Sequence, residues 1–169
     1  MSPRGSVLVL LLTASSAIAG PDAGAFQAVI ADDGAVVGTV TVASPPDAAR
    51  AKVTDPAWVA STGDDSTTVK IAEQDGECAI LDYVSKHPVA TATYRVRQCP
   101  TATGVSATLV ASESFSTYEQ SWSVTPEGTG SALRYRLNVV STLPVPKWIV
   151  RKTTRRSVEK LMQRVGTKL

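Results

Sequence analysis

The chain has 169 residues, 43% of them apolar, with eleven glycines and ten prolines, a composition that suits one globular domain with its own core and excludes a disordered chain. Its formal charge of +2 conceals a division: residues 20–143 carry eight basic against fourteen acidic side chains, whereas residues 144–169 carry eight against one. The cationic character therefore belongs to the closing segment and not to the protein as a whole.

The opening MSPRGSVLVLLLTASSAIAG combines Arg4, an apolar run from Val7 to Leu12 and the small-residue signal Ala17-Ile18-Ala19, the pattern of a secretory peptide (residues 1–19) cut after Ala19. The run is far shorter than the roughly 20 apolar residues that cross a bilayer, so the remainder is expected to be soluble and exported, secreted or periplasmic. Export makes a disulfide the default for the two cysteines, Cys78 and Cys99. Metal binding is not expected, because the sole histidine, His87, stands beside Pro88 with no CxxC or HxxxH spacing near it, and no cofactor is expected either.

Residues 20–33 read as a polar-flanked lead-in, and GAVVGTVTVA (34–43) as a β-branched strand. In SPPDAARAKVTDPAW, Ser44 has the chemistry of an N-cap, the prolines fit a first turn, and Pro56 ends or redirects the helix, so one short helix or a pair is expected. Beyond it the pattern has period two, with strands near 67–72, 77–85, 90–99, 105–113, 117–125 and 131–142. The separators EQDGE, KHPV, PTATG and TPEGTG carry turn chemistry. Strands so closely spaced imply an antiparallel meander, one face of which the closing helix must cover.

The cysteines set a register. With Cys78 opposite Cys99, Asp82 falls opposite Arg95 on the cysteine face, while Leu81 meets Val96 and Tyr83 meets Tyr94 on the other, and the turn falls at Pro88-Val89. A slip of one residue would mix the two faces. Farther on, Tyr118, Gln120, Trp122 and Val124 share a face, as do Leu133, Tyr135, Leu137 and Val139. In KWIVRKTTRRSVEKLMQR, a turn of about 100° per residue puts Val150, Thr154, Ser157, Val158, Leu161 and Val165 in one stripe with Met162 at its edge, and Lys152, Arg155, Arg156, Lys160 and Arg164 opposite. Thr154 and Ser157 stand where a plain core helix would carry Leu or Ile. Two readings fit them: they line a cavity, or they bond back to the helix's own carbonyls. Trp148 lies off the stripe.

The order of strand, SPPDAARAKVTDPAWV, antiparallel strands and LPVPKWIVRKTTRRSVEKLMQRV resembles the START-like helix-grip superfamily, also called SRPBCC or polyketide cyclase/dehydrase and lipid-transport proteins, over about residues 34–166. The resemblance implies an α+β helix-grip fold. Its features are a curved antiparallel sheet of about six or seven strands wrapped on a long C-terminal helix, a short helix pair after the first strand, and a hydrophobic cavity. The chain departs from the family in its first helix, where Ala49 and Arg50 replace a large apolar pair.

Three functions follow. The first is an exported protein binding an apolar molecule (lipid, isoprenoid or polyketide-like) between sheet and helix. Leu81, Tyr83, Tyr94 and Val96 from the hairpin, Tyr118, Trp122, Tyr135 and Leu137 from the later strands, and Val150, Thr154, Ser157 and Leu161 from the helix would line its site. The second is a cyclase- or dehydratase-type enzyme, which needs an acid or base inside; the inner faces offer tyrosines and no carboxylate, so no catalytic residue is assigned. The third is a packed domain without a cavity. Its basic helix would contact an anionic membrane through Arg151, Lys152, Arg155 and Arg156. Nucleic acid is not an expected partner for an exported protein.

Overall fold

The computed structural model describes residues 24–62, 66–86 and 90–169; the leader and the turn at Pro88-Val89 lie outside them. In chain order the elements are β1 (Phe26–Ile30), β2 (Val36–Val42), α1 (Pro46–Thr54), α2 (Pro56–Ser61), β3 (Thr67–Asp75), β4 (Cys78–Lys86), β5 (Thr91–Thr101), β6 (Gly104–Ser112), β7 (Phe115–Glu127), β8 (Gly130–Ser141) and α3 (Lys147–Lys168). The strands form one curved antiparallel sheet in the order β1-β2-β8-β7-β6-β5-β4-β3. The fold is the expected helix grip, with eight strands among the described residues where six or seven were expected.

The additional strand is FQAVI, read from sequence as lead-in. It pairs with β2 from Phe26↔Val40 to Ile30↔Val36. Only Ala28 of its five residues is buried, so it carries almost no alternation to read. As an edge strand it needs protection, and Arg155 Nε supplies some by donating to the Ala28 carbonyl at 3.1 Å.

The helix pair forms around prolines. The first helix is capped by Pro45, which makes no side-chain bond, and Ser44 is not its N-cap. Each residue before a proline is kept out of the helical region, so the start shifts beyond Ser44. Ser44 instead donates to the Leu169 carbonyl and accepts from Ser131 Oγ at 2.6 Å, tying the β2–α1 junction to α3 and β8. Pro56 does end α1 and opens α2, which Asp55 caps by accepting from Ala57 N at 2.8 Å. Ala49, the small residue of the first helix, is fully buried with Val53 in the core.

The disulfide register holds along the hairpin. Cys78 and Cys99 are bonded, with Cα atoms 4.3 Å apart, and Leu81↔Val96, Asp82↔Arg95 and Tyr83↔Tyr94 are paired. Arg95 grips both Asp82 oxygens at 2.7 and 2.9 Å on the exposed face, where such a pair contributes at most about 1 kcal/mol. The Arg95 guanidinium holds the Asp82 carboxyl below its ordinary pKa. The turn into β4 bends at Gly76, whose φ of +62° suits a residue without Cβ.

Two cores fill the concave side. One gathers residues from β2, α1, β7, β8 and the C-terminal half of α3, among them Val36, Val53, Trp122, Leu133, Val158, Met162 and Val165. The other gathers Leu81, Tyr83, Tyr94, Val96 and Tyr118 on β4, β5 and β7. Leu137 packs against both. The helix sits low over β2 because Gly38 lies beneath it: a Cβ there would stand 2.7 Å from Met162 Cγ and Val158 Cγ1.

Candidate functional site

A helix packed this closely on β1 and β2 covers one side of a curved sheet and leaves room on the other. Between the two cores lies a cleft of about 230 Å³, bounded by the sheet, α2, the 142–146 loop and α3.

The sheet contributes an aromatic wall. Tyr83 and Tyr94, paired across β4 and β5, stack with centroids 4.9 Å apart and planes 5° from parallel. Tyr94 then meets Tyr118 at 4.9 Å and the edge of Phe115 at 5.2 Å, and Trp122 lies 4.7 Å from Tyr135. All four phenols are buried, and Tyr118 donates to Gln120 Oε1 at 2.7 Å. The Tyr118 hydroxyl also interacts with those of Tyr94 and Tyr135.

Burial pushes the pKa of all four phenols above the ordinary value, the neighbouring Tyr94 adding to the effect at Tyr83 and Tyr118. They are neutral hydrogen-bonding groups at physiological pH and cannot serve as resting bases. In the unfolded chain the same phenols ionise near pH 10, so each contributes stability below that pH and loses it as pH rises toward the folded-state value. An alkaline titration is therefore expected to show little phenolate before unfolding. Phenolate absorbance growing near pH 10 while circular dichroism stays native would contradict this burial.

The opposite wall is the part of α3 left off the sheet. The hydrophobic stripe expected on this helix divides in two. Val158, Met162 and Val165 pack on the sheet, so Met162, expected at the edge, is central. Roughly 100° around the helix, Ile149, Val150, Thr153, Ser157, Leu161 and Arg164 face the cleft, with Thr154 between the two arcs. Arg164, expected among the outward cations, is thus a cleft residue. The Thr153, Thr154 and Ser157 hydroxyls have no hydrogen-bond partner among the described residues. By contrast, Thr54, Ser61 and Thr167 bond back to carbonyls of their own helices. The back-bonding reading of Thr154 and Ser157 is therefore set aside.

Of the residues expected to line a site, Tyr83, Tyr94, Tyr118, Trp122, Tyr135 and Leu137 line the cleft from the sheet, and Val150, Thr154, Ser157 and Leu161 line it from the helix. Leu81 and Val96 do not. Both are fully buried beneath the aromatic wall's own packing, one pair of positions along the hairpin.

Sequence reasoning did not assign Trp58 and Val59 of α2, Thr62 at its C-terminal end, Phe115, Gln120, Ile149, Thr153 or Arg164 to the site. Gln120 was legible through the face it shares with Tyr118 and Trp122. Phe115 was not, because a register shift between Phe115 and Thr117 alters the alternation.

Among the described lining residues there is no carboxylate, lysine or histidine, and no three potential metal-ligating side chains cluster among the described residues. Beside the cleft, at the start of α3, Trp148 is 64% exposed. Of the cations expected on the outer face, Arg151 lies over Gly34 and Arg155 is bonded to β1. Lys152 and Arg156 are exposed on the side of Trp148.

The model of the family "Polyketide cyclase / dehydrase and lipid transport" matches residues 34–169. A protein from Thermus thermophilus has a similar structure, at a TM-score of 0.71 and 16% identity, covering 79% of this chain and 95% of that one. A START superfamily protein from Mycobacterium smegmatis superposes at 0.66 with 22% identity over the same shares, 79% and 95%. An aromatase/cyclase from Streptomyces sp. R1128 superposes at 0.64 with 15% identity, over 85% and 93%. No curated protein matches the sequence.

Proposed function

From a chain that belongs to the polyketide cyclase/dehydrase and lipid-transport family, we propose an exported binding protein that holds an apolar small molecule (lipid, isoprenoid or polyketide-like) in the cleft between the sheet and α3. The observation that carries this reading is the pairing of an aromatic wall with a facing helix whose hydroxyls at Thr153, Thr154 and Ser157 are unbonded among the described residues. Apolar surface supplies affinity, at about 25 cal/mol per Å² buried, and a few hydroxyls orient the ligand. Drug-sized pockets run from roughly 300 Å³ upward, so a cleft of about 230 Å³ favours a small ligand, or one whose chain protrudes. Export is supported by the leader pattern and by the disulfide.

Binding is favoured over cyclase or dehydratase chemistry by the composition of the wall. Phenols whose ionisation is suppressed by burial can donate a hydrogen bond to a ligand carbonyl, but abstracting a proton from carbon needs a base that the described lining does not offer. Exposed Trp148, with Lys152 and Arg156 beside it, supports loading at an anionic membrane, the indole entering the interface and the cations meeting lipid headgroups.

Native mass spectrometry of protein recovered from its own host is expected to reveal a bound small molecule, and a fluorescent fatty acid to bind one to one. Ser157→Phe, which fills the cleft from an exposed helix position, is expected to weaken that binding at least ~10-fold. Uptake from anionic vesicles is expected to exceed uptake from neutral ones and to slow in Trp148→Ala. The absence of both a co-purifying molecule and a response to the probe would sink the carrier reading; equal uptake from both vesicles would remove only the membrane step.

A further inference from the structure

A buried glutamine stands in the sheet wall of the cleft. Gln120 lies on the inner face of β7, with Ala107 of β6 and Leu137 of β8 as its cross-strand neighbours, and it lines the cleft although only 7% of it is exposed. Its Oε1 accepts from the Tyr118 hydroxyl at 2.7 Å, and neither cross-strand side chain can bond an amide. The two Nε2 hydrogens therefore have no acceptor among the described residues. Buried polar groups in folded proteins are nearly always hydrogen-bonded, because a donor left unmatched keeps the cost of its desolvation. Tyr83, 6% exposed, lines the same cleft, and its hydroxyl likewise has no hydrogen-bond partner among the described residues.

We propose that Gln120 sets the specificity of the cleft, and that the ligand class is a neutral apolar molecule carrying a carbonyl oxygen, as a ketone or an acyl ester, which accepts from Gln120 Nε2. The inference rests on the cleft being the ligand site. A carbonyl oxygen has two lone pairs and no proton of its own, so it can take an amide donor and a phenol donor together. Tyr118 is the positioning residue. Its ring is held between Tyr94 and Phe115, and by donating to Oε1 it fixes which end of the amide is left for the ligand. An amide free to turn would offer either end and select neither donors nor acceptors. Where water is excluded, a hydrocarbon ligand strands the Gln120 donors, whereas a carbonyl compound satisfies them. A purely structural glutamine, kept only to hold Tyr118 in place, would treat the two ligands alike.

The test displaces a bound fluorescent fatty acid from the intact mature protein with a medium-chain methyl ketone, the methyl ester of the same chain length and the corresponding alkane. Gln120→Leu is expected to weaken the ketone and the ester at least ~5-fold while the alkane keeps its affinity or gains. Tyr118→Phe, which retains the ring, is expected to weaken the carbonyl compounds by a smaller factor and to leave the alkane unchanged. The carbonyl stretching band of an isotope-labelled ketone is expected at lower frequency in the protein than in hydrocarbon solvent, and to move back toward the solvent position in Gln120→Leu. A response from the ketone alone or the ester alone supports the role of Gln120 and identifies the source of the carbonyl. Equal weakening of ketone and alkane in Tyr118→Phe and Gln120→Leu, or an unshifted band in the unaltered protein, would overturn that role and leave the carrier reading standing. Failure of the probe and all three competitors to bind would overturn both. Should Gln120→Leu not fold, the band in the unaltered protein still decides.

Discussion

Met162→Ala is expected to lower the unfolding free energy by about 2–5 kcal/mol, the range for truncating a large buried side chain to alanine, and to weaken the proposed binding in the cleft. Met162 is 0% exposed and sits directly over Gly38, in the core that joins α3 to β2, α1 and β8. Removing the thioether leaves a void at the point where the helix comes closest to the sheet. The glycine that permits this approach has no side chain to fill the gap. Since the same helix forms one wall of the cleft, the loss should reach binding as well as stability. Urea denaturation of the variant beside Gln163→Ala would measure this. The neighbouring Gln163 is exposed, and its replacement should change stability by no more than about 0.5 kcal/mol. Equal midpoints for the two variants would mean that α3 is not anchored through Met162.

Loss of the disulfide is the second large effect. Cys78 and Cys99 are 21 residues apart, and cross-linking a loop of that size restricts the unfolded chain by about 3 kcal/mol in the chain-entropy model. For a domain of this size that corresponds to a fall in Tm on the order of 6–12 °C. The hairpin it closes carries Tyr83 and Tyr94, the stacked pair of the aromatic wall. The double variant Cys78→Ala, Cys99→Ala should therefore lose ligand affinity at temperatures where the oxidised protein retains it. Thermal melts with and without reductant would test this: an unchanged Tm would show that strand pairing alone holds the register, and mass mapping that found both thiols free would remove the premise.

How legible each part was depended on how local its cause is. On β4 and β5 the alternation of buried and exposed side chains is a property of neighbouring residues. With one covalent tie at Cys78 and Cys99 it determined the pairing of Leu81 with Val96, Asp82 with Arg95 and Tyr83 with Tyr94. The same reasoning located the tyrosine and tryptophan faces of β7 and β8, and Pro56 as the break between two helices. Where local signals were weak, the reading was incomplete. FQAVI buries only Ala28, and its identity as a strand comes from β2 on one side and the Arg155 contact at its edge.

The sequence by itself therefore determined the sheet's faces, the hairpin register and the presence of a long amphipathic helix, because each follows from periodicity and one cross-link. Only the tertiary structure decided which arc of that helix would pack and which would line a cleft. On a wheel, Val158, Leu161 and Val165 are one stripe. In three dimensions the depth set by Gly38 and the curvature of the sheet press Met162 and Val165 into the core and turn Ser157, Leu161 and Arg164 toward the cleft. Gly38 lies more than a hundred residues before the helix, and the curvature belongs to the whole sheet, so no pattern within the helix could register either cause.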